Sequence, residues 1–122
     1  MKKILIIEDN DDIRDNLEEI FELEAYEYES APNGKIGIEK ALQYFPDLIL
    51  CDIAMPEKNG YEVFNDLKTF LSTNKIPFIF LTANAQEKEI AAGRKLGVDD
   101  YVTKPYQLEL LLSTIKKLIH KI

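Results

Sequence analysis

The chain has 122 residues, 46% of them hydrophobic, which is the size and composition of one globular domain with a buried core. Its 15 basic and 22 acidic residues give a formal net charge of −7, which argues against direct binding of nucleic acid. The sequence shows no signal peptide and no apolar stretch long enough to span a bilayer. The single cysteine, Cys51, excludes an internal disulfide and is expected to be a buried thiol. We therefore expect residues 1–122 to form one cytoplasmic domain.

Short apolar or alternating runs predict five strands, at about residues 3–7, 26–30, 47–51, 77–81 and 99–103. Helical patterns lie between these runs and after the last one: the first opens at Asp11 or Asp12, the third follows Gly60, and the fourth, about 86–96, is weak. Four of these patterns have apolar side chains on one face, which is predicted to face the core. They are Ile13, Leu17, Ile20 and Phe21 in the first helix, Ile38, Ala41, Leu42 and Phe45 in the second, Val63, Phe64, Leu67 and Leu71 in the third, and Leu108, Leu111, Leu112, Ile115, Leu118 and Ile119 in the fifth. The main apolar residues of the weak fourth pattern are Ile90, Ala91 and Leu96.

This alternation of strands and helices predicts a doubly wound α/β fold, a five-stranded parallel sheet with helices on both faces. The first, third and fourth strands are almost wholly apolar, as buried central strands are. The second strand alternates polar and apolar residues, and the fifth begins with Asp99 and Asp100, so both are predicted to be peripheral. The pattern favours the strand order 2-1-3-4-5, the flavodoxin-like arrangement.

Polar side chains stand where four of these runs stop. Glu8 and Asp9 end the first run, Asp52 the third, Thr82 the fourth and Lys104 the fifth. Because the carboxyl ends of parallel strands meet at one edge of a sheet, we expect these side chains to share one pocket. Three carboxylates held together repel one another, and Mg²⁺, a hard cation with oxygen ligands, would offset that repulsion.

The same pocket suits phosphoryl transfer. A carboxylate beside Mg²⁺ can attack phosphorus, while Lys104 and Thr82 contact the phosphoryl oxygens. A flavin or nucleotide site would instead need free amides and small residues after the first strand, where this chain has the acidic run 8–12. Asp11 and Asp12 are interpreted as turn formers or helix caps. Zinc is disfavoured because neither Cys51 nor His120 belongs to the cluster.

The segments ILIIEDN (4–10), LILCDIAMPEKNGYEV (48–63), PFIFLTA (77–83) and GVDDYVTKPY (97–106) resemble the receiver domain of two-component response regulators, in its chemotaxis-regulator-like form. The resemblance spans nearly the whole chain. It implies that Asp52 is the phosphoacceptor and that Glu8 and Asp9 are the acidic pair that helps to hold Mg²⁺. It also implies that the backbone carbonyl of Ala54 is a further metal ligand.

By the same resemblance, Thr82 and Lys104 would contact the phosphoryl group, and Tyr101 would be an aromatic rotamer switch. The donor would be a phosphohistidine on a sensor histidine kinase or a histidine phosphotransfer protein. Phosphorylation would shift the face formed by the fourth helix, the fifth strand and the fifth helix, and would alter binding of a downstream protein there. The fourth helix, with Lys88, Glu89, Arg94 and Lys95, has the polar, loosely anchored character of a moving element. We expect no turnover of an external substrate, and a monomer or a weak phosphorylation-dependent dimer.

Two alternatives remain open. An Mg²⁺-dependent phosphatase of the aspartate-nucleophile type needs a second Asp two residues after the nucleophile, where Ala54 stands. A receiver-like binding module could also act without phosphate. The chain departs from the family pattern in Tyr106, where Phe is more usual, and Ala54 and Asn84 occupy two positions that tune phosphoryl lifetime in the family.

Overall fold

The computed structural model describes residues 1–83 and 95–119. Its elements are β1 (Lys3–Ile7), α1 (Asp11–Leu23), β2 (Glu27–Ala31), α2 (Gly34–Tyr44), β3 (Leu48–Asp52), α3 (Gly60–Lys68), β4 (Phe78–Thr82), β5 (Asp100–Thr103) and a C-terminal helix (Leu108–Ile119). Most of the predicted fourth helix lies outside the described residues, as do Asn84, Lys88, Glu89, Ile90, Ala91, Arg94 and His120. No helix within the described ranges is long and apolar enough to cross a membrane.

The strands form one parallel sheet in the order β2-β1-β3-β4-β5, which confirms the predicted fold and strand order. Strands β1, β3 and β4 are central, and almost all of their residues are buried. Their apolar runs therefore reflect burial on both faces of the sheet. Strands β2 and β5 form the edges, where their polar residues have access to water.

Alternation along the strands divides the core into two layers. Ile4 and Ile6 point to the face covered by α1 and the C-terminal helix. Leu5 and Ile7 point to the opposite face, covered by α2 and α3. The free thiol of Cys51 is buried in this second layer, as expected.

Three predicted strands lie one residue too early in the chain. β2, β3 and β4 are Glu27–Ala31, Leu48–Asp52 and Phe78–Thr82. Asp52 and Thr82 are therefore the last residues of their strands, in register with Leu81 and Thr103, and not the first residues after them. Sheet pairing thus fixes the backbone of both residues.

Helix ends account for the other corrections. Asn10 caps α1 through its side chain, which accepts a hydrogen bond from the Ile13 N–H, so Asp11 and Asp12 are first-turn residues and not caps. Phe45 ends α2 in a left-handed conformation and is 59% exposed, and Leu71 lies beyond the end of α3 and is 93% exposed. Leu108, at the first turn of its helix, is 50% exposed. Periodicity alone had placed these three side chains in the core.

Gly37 sets how closely α2 can approach β1. A Cβ at this position would lie 2.6 Å from Ile7 Cδ1 and 2.8 Å from Ile7 Cγ1. We predict that Gly37→Ala lowers the free energy of unfolding by about 1–2 kcal/mol, because overpacking outweighs the gain in helix propensity. Urea denaturation measures the change.

The matched test of this clash is Ile7→Ala, which removes Cδ1, Cγ1 and Cγ2. In that background Gly37→Ala should have a clearly smaller effect, because all three close contacts are gone. An equal loss in both backgrounds would show that the Ile7 side chain is not what limits the approach.

Candidate functional site

Three carboxylates meet at the carboxyl edge of the sheet. One oxygen from each of Glu8, Asp9 and Asp52 lies within 4.8 Å of the others. Glu8 is fully buried and Asp52 is 3% exposed, whereas Asp9 is exposed to solvent. The group therefore has a buried floor and an open side.

Lys104 is the cation of this group. Its ammonium nitrogen lies 2.7 Å from Glu8 Oε1 and 3.2 Å from Asp52 Oδ1, so it joins the two buried carboxylates. The Lys104 backbone N–H donates to the carbonyl of Thr82 at 2.8 Å, and the Lys104–Pro105 peptide bond is cis. The prediction that an acid pair, Asp52 and Lys104 converge is thus borne out in the geometry.

Two residues that sequence reasoning missed hold Glu8 in place. The Arg14 guanidinium donates to the Glu8 carbonyl at 2.8 Å, and the backbone N–H of Asn10 donates to Glu8 Oε2 at 3.0 Å. Glu8 therefore has its second carboxylate oxygen and its carbonyl satisfied from the start of α1. The available signal was a lone basic residue in an otherwise acidic helix segment, DDIRDNLEE.

The sequence analysis placed Gly60 just before the third helix, whereas the structure makes it the first residue of α3 and brings it against Asp52. Its N–H donates to the Ile53 carbonyl at 2.9 Å, and a Cβ on Gly60 would lie 2.6 Å from the Asp52 carbonyl oxygen. The capping box formed by Asn59 and Glu62 starts α3 at this point. The first turn of α3 therefore packs directly on the backbone of the central carboxylate.

The charges shift the titration of the pocket. Burial, followed by the charge of Glu8, raises the pKa of Asp52 to about 7, although Lys104 acts in the opposite direction. Burial alone would lower the pKa of Lys104, but its hydrogen bond to Glu8 and the charge of Asp52 raise it. Three acids against one cation leave the site negative, and carboxylate oxygens suit a hard divalent cation.

The remaining predicted residues surround this cluster. Thr82 is buried at the end of β4, the strand beside β3. The backbone N–H of Ala54, an exposed residue, lies 3.4 Å from Asp52 Oδ1. Tyr101 is half-buried, and its ring centroid lies 5.7 Å from that of Phe80. The structure places these residues, while their roles in metal and phosphoryl binding stay predictions.

Residues 4–116 match the family model of the response regulator receiver domain. The chain belongs to this family. As a receiver domain it is a phosphoacceptor module of two-component signalling, which confirms the resemblance found in its motifs.

The receiver domain has relatives among curated response regulators. It is 36% identical to the response regulator ArlR of Staphylococcus saprophyticus over 121 residues, which cover 99% of this chain and 54% of ArlR. The chain thus spans about half the length of the curated relatives it matches.

Solved structures show the same fold. The chemotaxis protein CheY4 of Vibrio cholerae superposes with a TM-score of 0.92 at 26% identity, covering 97% of this chain and 98% of that one. The receiver domain of the sensor histidine kinase PA1611 from Pseudomonas aeruginosa gives 0.91 at 25% identity, with 98% of each chain covered. That domain has a magnesium ion coordinated in its active site cleft.

The raised pKa of Asp52 predicts a pH-dependent stability in metal-free protein. Between about 3.9, the usual carboxyl pKa in an unfolded chain, and about 7 in the folded one, the folded state keeps a proton that the unfolded state loses. The free energy of unfolding should therefore fall as pH rises through this window. Asp52→Asn removes this titration. From pH 4 to pH 8, the free energy of unfolding of Asp52→Asn should therefore rise relative to that of the native chain by about 1–2 kcal/mol. The figure is this small because water at the open side of the site weakens the effect.

Urea denaturation in the presence of a chelator measures this difference. Asp15→Asn, which removes an exposed carboxylate from α1, controls for the change in net charge. An Asp52→Asn advantage that does not change between pH 4 and pH 8 would contradict the raised pKa.

Proposed function

We propose that this receiver domain accepts a phosphoryl group on Asp52 from a phosphohistidine of a sensor histidine kinase or histidine phosphotransfer protein. The observation that carries the proposal is the Lys104 ammonium between two buried carboxylates, 2.7 Å from Glu8 and 3.2 Å from Asp52. A positive group at that position can pair with a phosphoryl oxygen once Asp52 carries the phosphate.

In the proposed reaction, a carboxylate oxygen of Asp52 forms a bond to phosphorus while the bond from phosphorus to the donor nitrogen breaks. The main chain of Asp52 is paired in β3 and covered by Gly60, so the nucleophile is held in place before the donor arrives. Lys104 and the Thr82 hydroxyl would contact two of the transferred oxygens. Ionisation of Asp52 is needed for attack, and its raised pKa means that added positive charge in the pocket favours the reactive form.

Mg²⁺ fits the donor set of this chain. Glu8, Asp9 and Asp52 offer oxygens within 4.8 Å of one another, and exposed Asp9 leaves room for metal-bound water. We propose that Asp9, Asp52 and the Ala54 carbonyl are direct ligands and that Glu8 acts largely through water. When bound, the ion would supply positive charge for the phosphoryl oxygens.

The proposed output is a change at the face formed by the predicted fourth helix, β5 and the C-terminal helix. Thr82 would move toward the phosphoryl group, and Tyr101 would move into the vacated space. Tyr101 is half-buried against Phe80, so its ring is already within reach of the core. A downstream protein would recognise the altered face, and the domain would act as a monomer or a weak phosphorylation-dependent dimer.

Two other functions are less well supported. A phosphatase of the aspartate-nucleophile type needs an acid two residues after Asp52, and Ala54 has no proton to give. We therefore propose that the domain does not turn over an external substrate. A module that works without phosphate would have no use for a lysine held between two buried carboxylates, because burying that charge group is costly.

The direct test is incubation with Mg²⁺ and acetyl phosphate, followed by intact mass measurement. We expect one added phosphoryl group on the native chain and none on Asp52→Asn, because Asp52, the last residue of β3, is the proposed acceptor and lies 3.2 Å from the Lys104 ammonium. Phosphorylation of both proteins would place the acceptor elsewhere. Failure of the native chain, with Mg²⁺ binding shown by calorimetry, would favour a module that does not accept phosphate from a small donor.

Ala54 predicts a long-lived phosphoryl group. Its methyl side chain is exposed beside Asp52 and cannot orient a water molecule for attack. Ala54→Asn should lose phosphate severalfold faster than the native domain, because an amide can orient such a water. Phosphate release from purified phosphoprotein measures the rate. The control is Ala54→Val, which alters the size of the side chain without adding a polar group. Equal rates of phosphate release from the native and Ala54→Asn proteins would show that the side chain at position 54 does not set the phosphoryl lifetime.

A further inference from the structure

A hydrogen bond ties the loop after β5 to helix α1. The Tyr106 hydroxyl donates to Asn16 Oδ1, two residues that are 90 positions apart in the chain. The ring of Tyr106 also packs, half-buried, against the core layer between the sheet and α1. Tyr106 is two residues after Lys104, so this contact lies close to the cation of the phosphorylation site.

The loop has little other support. The backbone N–H of Lys104 donates to the carbonyl of Thr82. The next residue, Pro105, has no backbone N–H and cannot donate a hydrogen bond that would hold the loop. Within the described residues, no backbone hydrogen bond runs from Tyr106 or Gln107 to another segment before the C-terminal helix begins. Among the described residues, the side chain of Tyr106 is therefore the contact that ties the loop between Lys104 and that helix to α1.

The same hydrogen bond spans a groove. A space of about 540 Å³ lies between α1 and the loop, lined by Asp12, Ile13 and Asn16 on one side and by Lys104, Pro105 and Tyr106 on the other. The groove leaves the loop room to move if the attachment is lost. The free volume therefore lies beside Lys104, whose ammonium nitrogen is 3.2 Å from Asp52 Oδ1.

We infer that Tyr106 is a positioning residue for Lys104. Its hydroxyl, bound to Asn16, holds the loop after β5 on α1 and so keeps the Lys104 ammonium between Glu8 and Asp52. The consequence for the rate of phosphorylation rests on the function proposed above. The consequence for Lys104 itself does not, because it concerns the protein before any donor is bound.

The first experiment measures Lys104 directly in metal-free protein by ¹⁵N NMR of lysine ammonium groups. The Lys104 signal is assigned by its absence in Lys104→Met, and the signal of Lys58, paired with Asp66, is the internal reference. Tyr106→Phe removes one oxygen only, and Asn16→Ala removes the acceptor from an exposed helix position. We expect the Lys104 signal to broaden or vanish in both variants and to persist in Asn16→Asp, which keeps an acceptor oxygen.

The second experiment measures the rate of phosphorylation by acetyl phosphate with Mg²⁺. Tyr106→Phe and Asn16→Ala should lower the maximal rate about 3- to 10-fold, the effect of one net hydrogen bond. The donor concentration for half-maximal rate should change little. In a Lys104→Met background Tyr106→Phe should have no further effect, because the two residues act through one group. Tyr28→Phe, which removes a phenol oxygen from the same core layer, should match the native rate.

The outcomes separate the two proposals. An unchanged Lys104 signal in Tyr106→Phe and Asn16→Ala overturns the positioning role, whatever the kinetics. Equal losses in the native and Lys104→Met backgrounds also overturn it, since they indicate a general effect on the fold. If the native chain is not phosphorylated, the proposed function fails, and the NMR comparison still decides whether Tyr106 positions Lys104.

Discussion

The repulsion between buried carboxylates is the constraint on which the site depends. Glu8 has no exposed surface and Asp52 almost none, and each loses the water that would otherwise solvate its charge. Lys104 relieves this by contacting both, but one ammonium cannot neutralise them together with Asp9. The result is a pocket with residual negative charge and a raised pKa at Asp52. Such a pocket attracts a divalent cation, and a phosphoryl group is stabilised there once that cation is bound. A neutral ligand gains no electrostatic stabilisation from the pocket.

The sheet gives the charged residues unequal freedom. Asp52 ends β3, which is paired on both sides, and Glu8 follows β1, which is also paired on both sides. Lys104 follows β5, which has one neighbouring strand. The two carboxylates are therefore fixed by the centre of the sheet, whereas the cation depends on an edge and its loop. That difference explains why a side-chain contact such as the one from Tyr106 to Asn16 would matter for Lys104 and would matter little for Asp52.

Local sequence patterns predicted the strand order and the convergence of the site because both follow from where apolar runs stop. The break after Ile7 and the break around Asp52 are visible in the sequence, and parallel strands bring such breaks to one edge. Patterns of this kind do not encode how far a helix continues, so Leu71 was placed on α3 although it lies beyond the end at Lys68. Nor do they encode contacts between distant segments. The close approach of Gly60 to Asp52 and the bond from Tyr106 to Asn16 depend on packing that no short window contains.

Register also bears on how a phosphoryl group on Asp52 would be sensed. Side chains alternate along a strand, so Phe80 and Thr82 share one face of β4, and their partners on β5 are Tyr101 and Thr103. Tyr101 therefore lies on the same face as Thr82 and diagonal to it, with its ring against Phe80. Asp52 and its partner Leu81 belong to the alternate face, the one that α1 and the C-terminal helix cover. In the proposed function Thr82 moves toward the phosphoryl group, and the register means that the space it would leave lies on the face of the sheet that carries Tyr101.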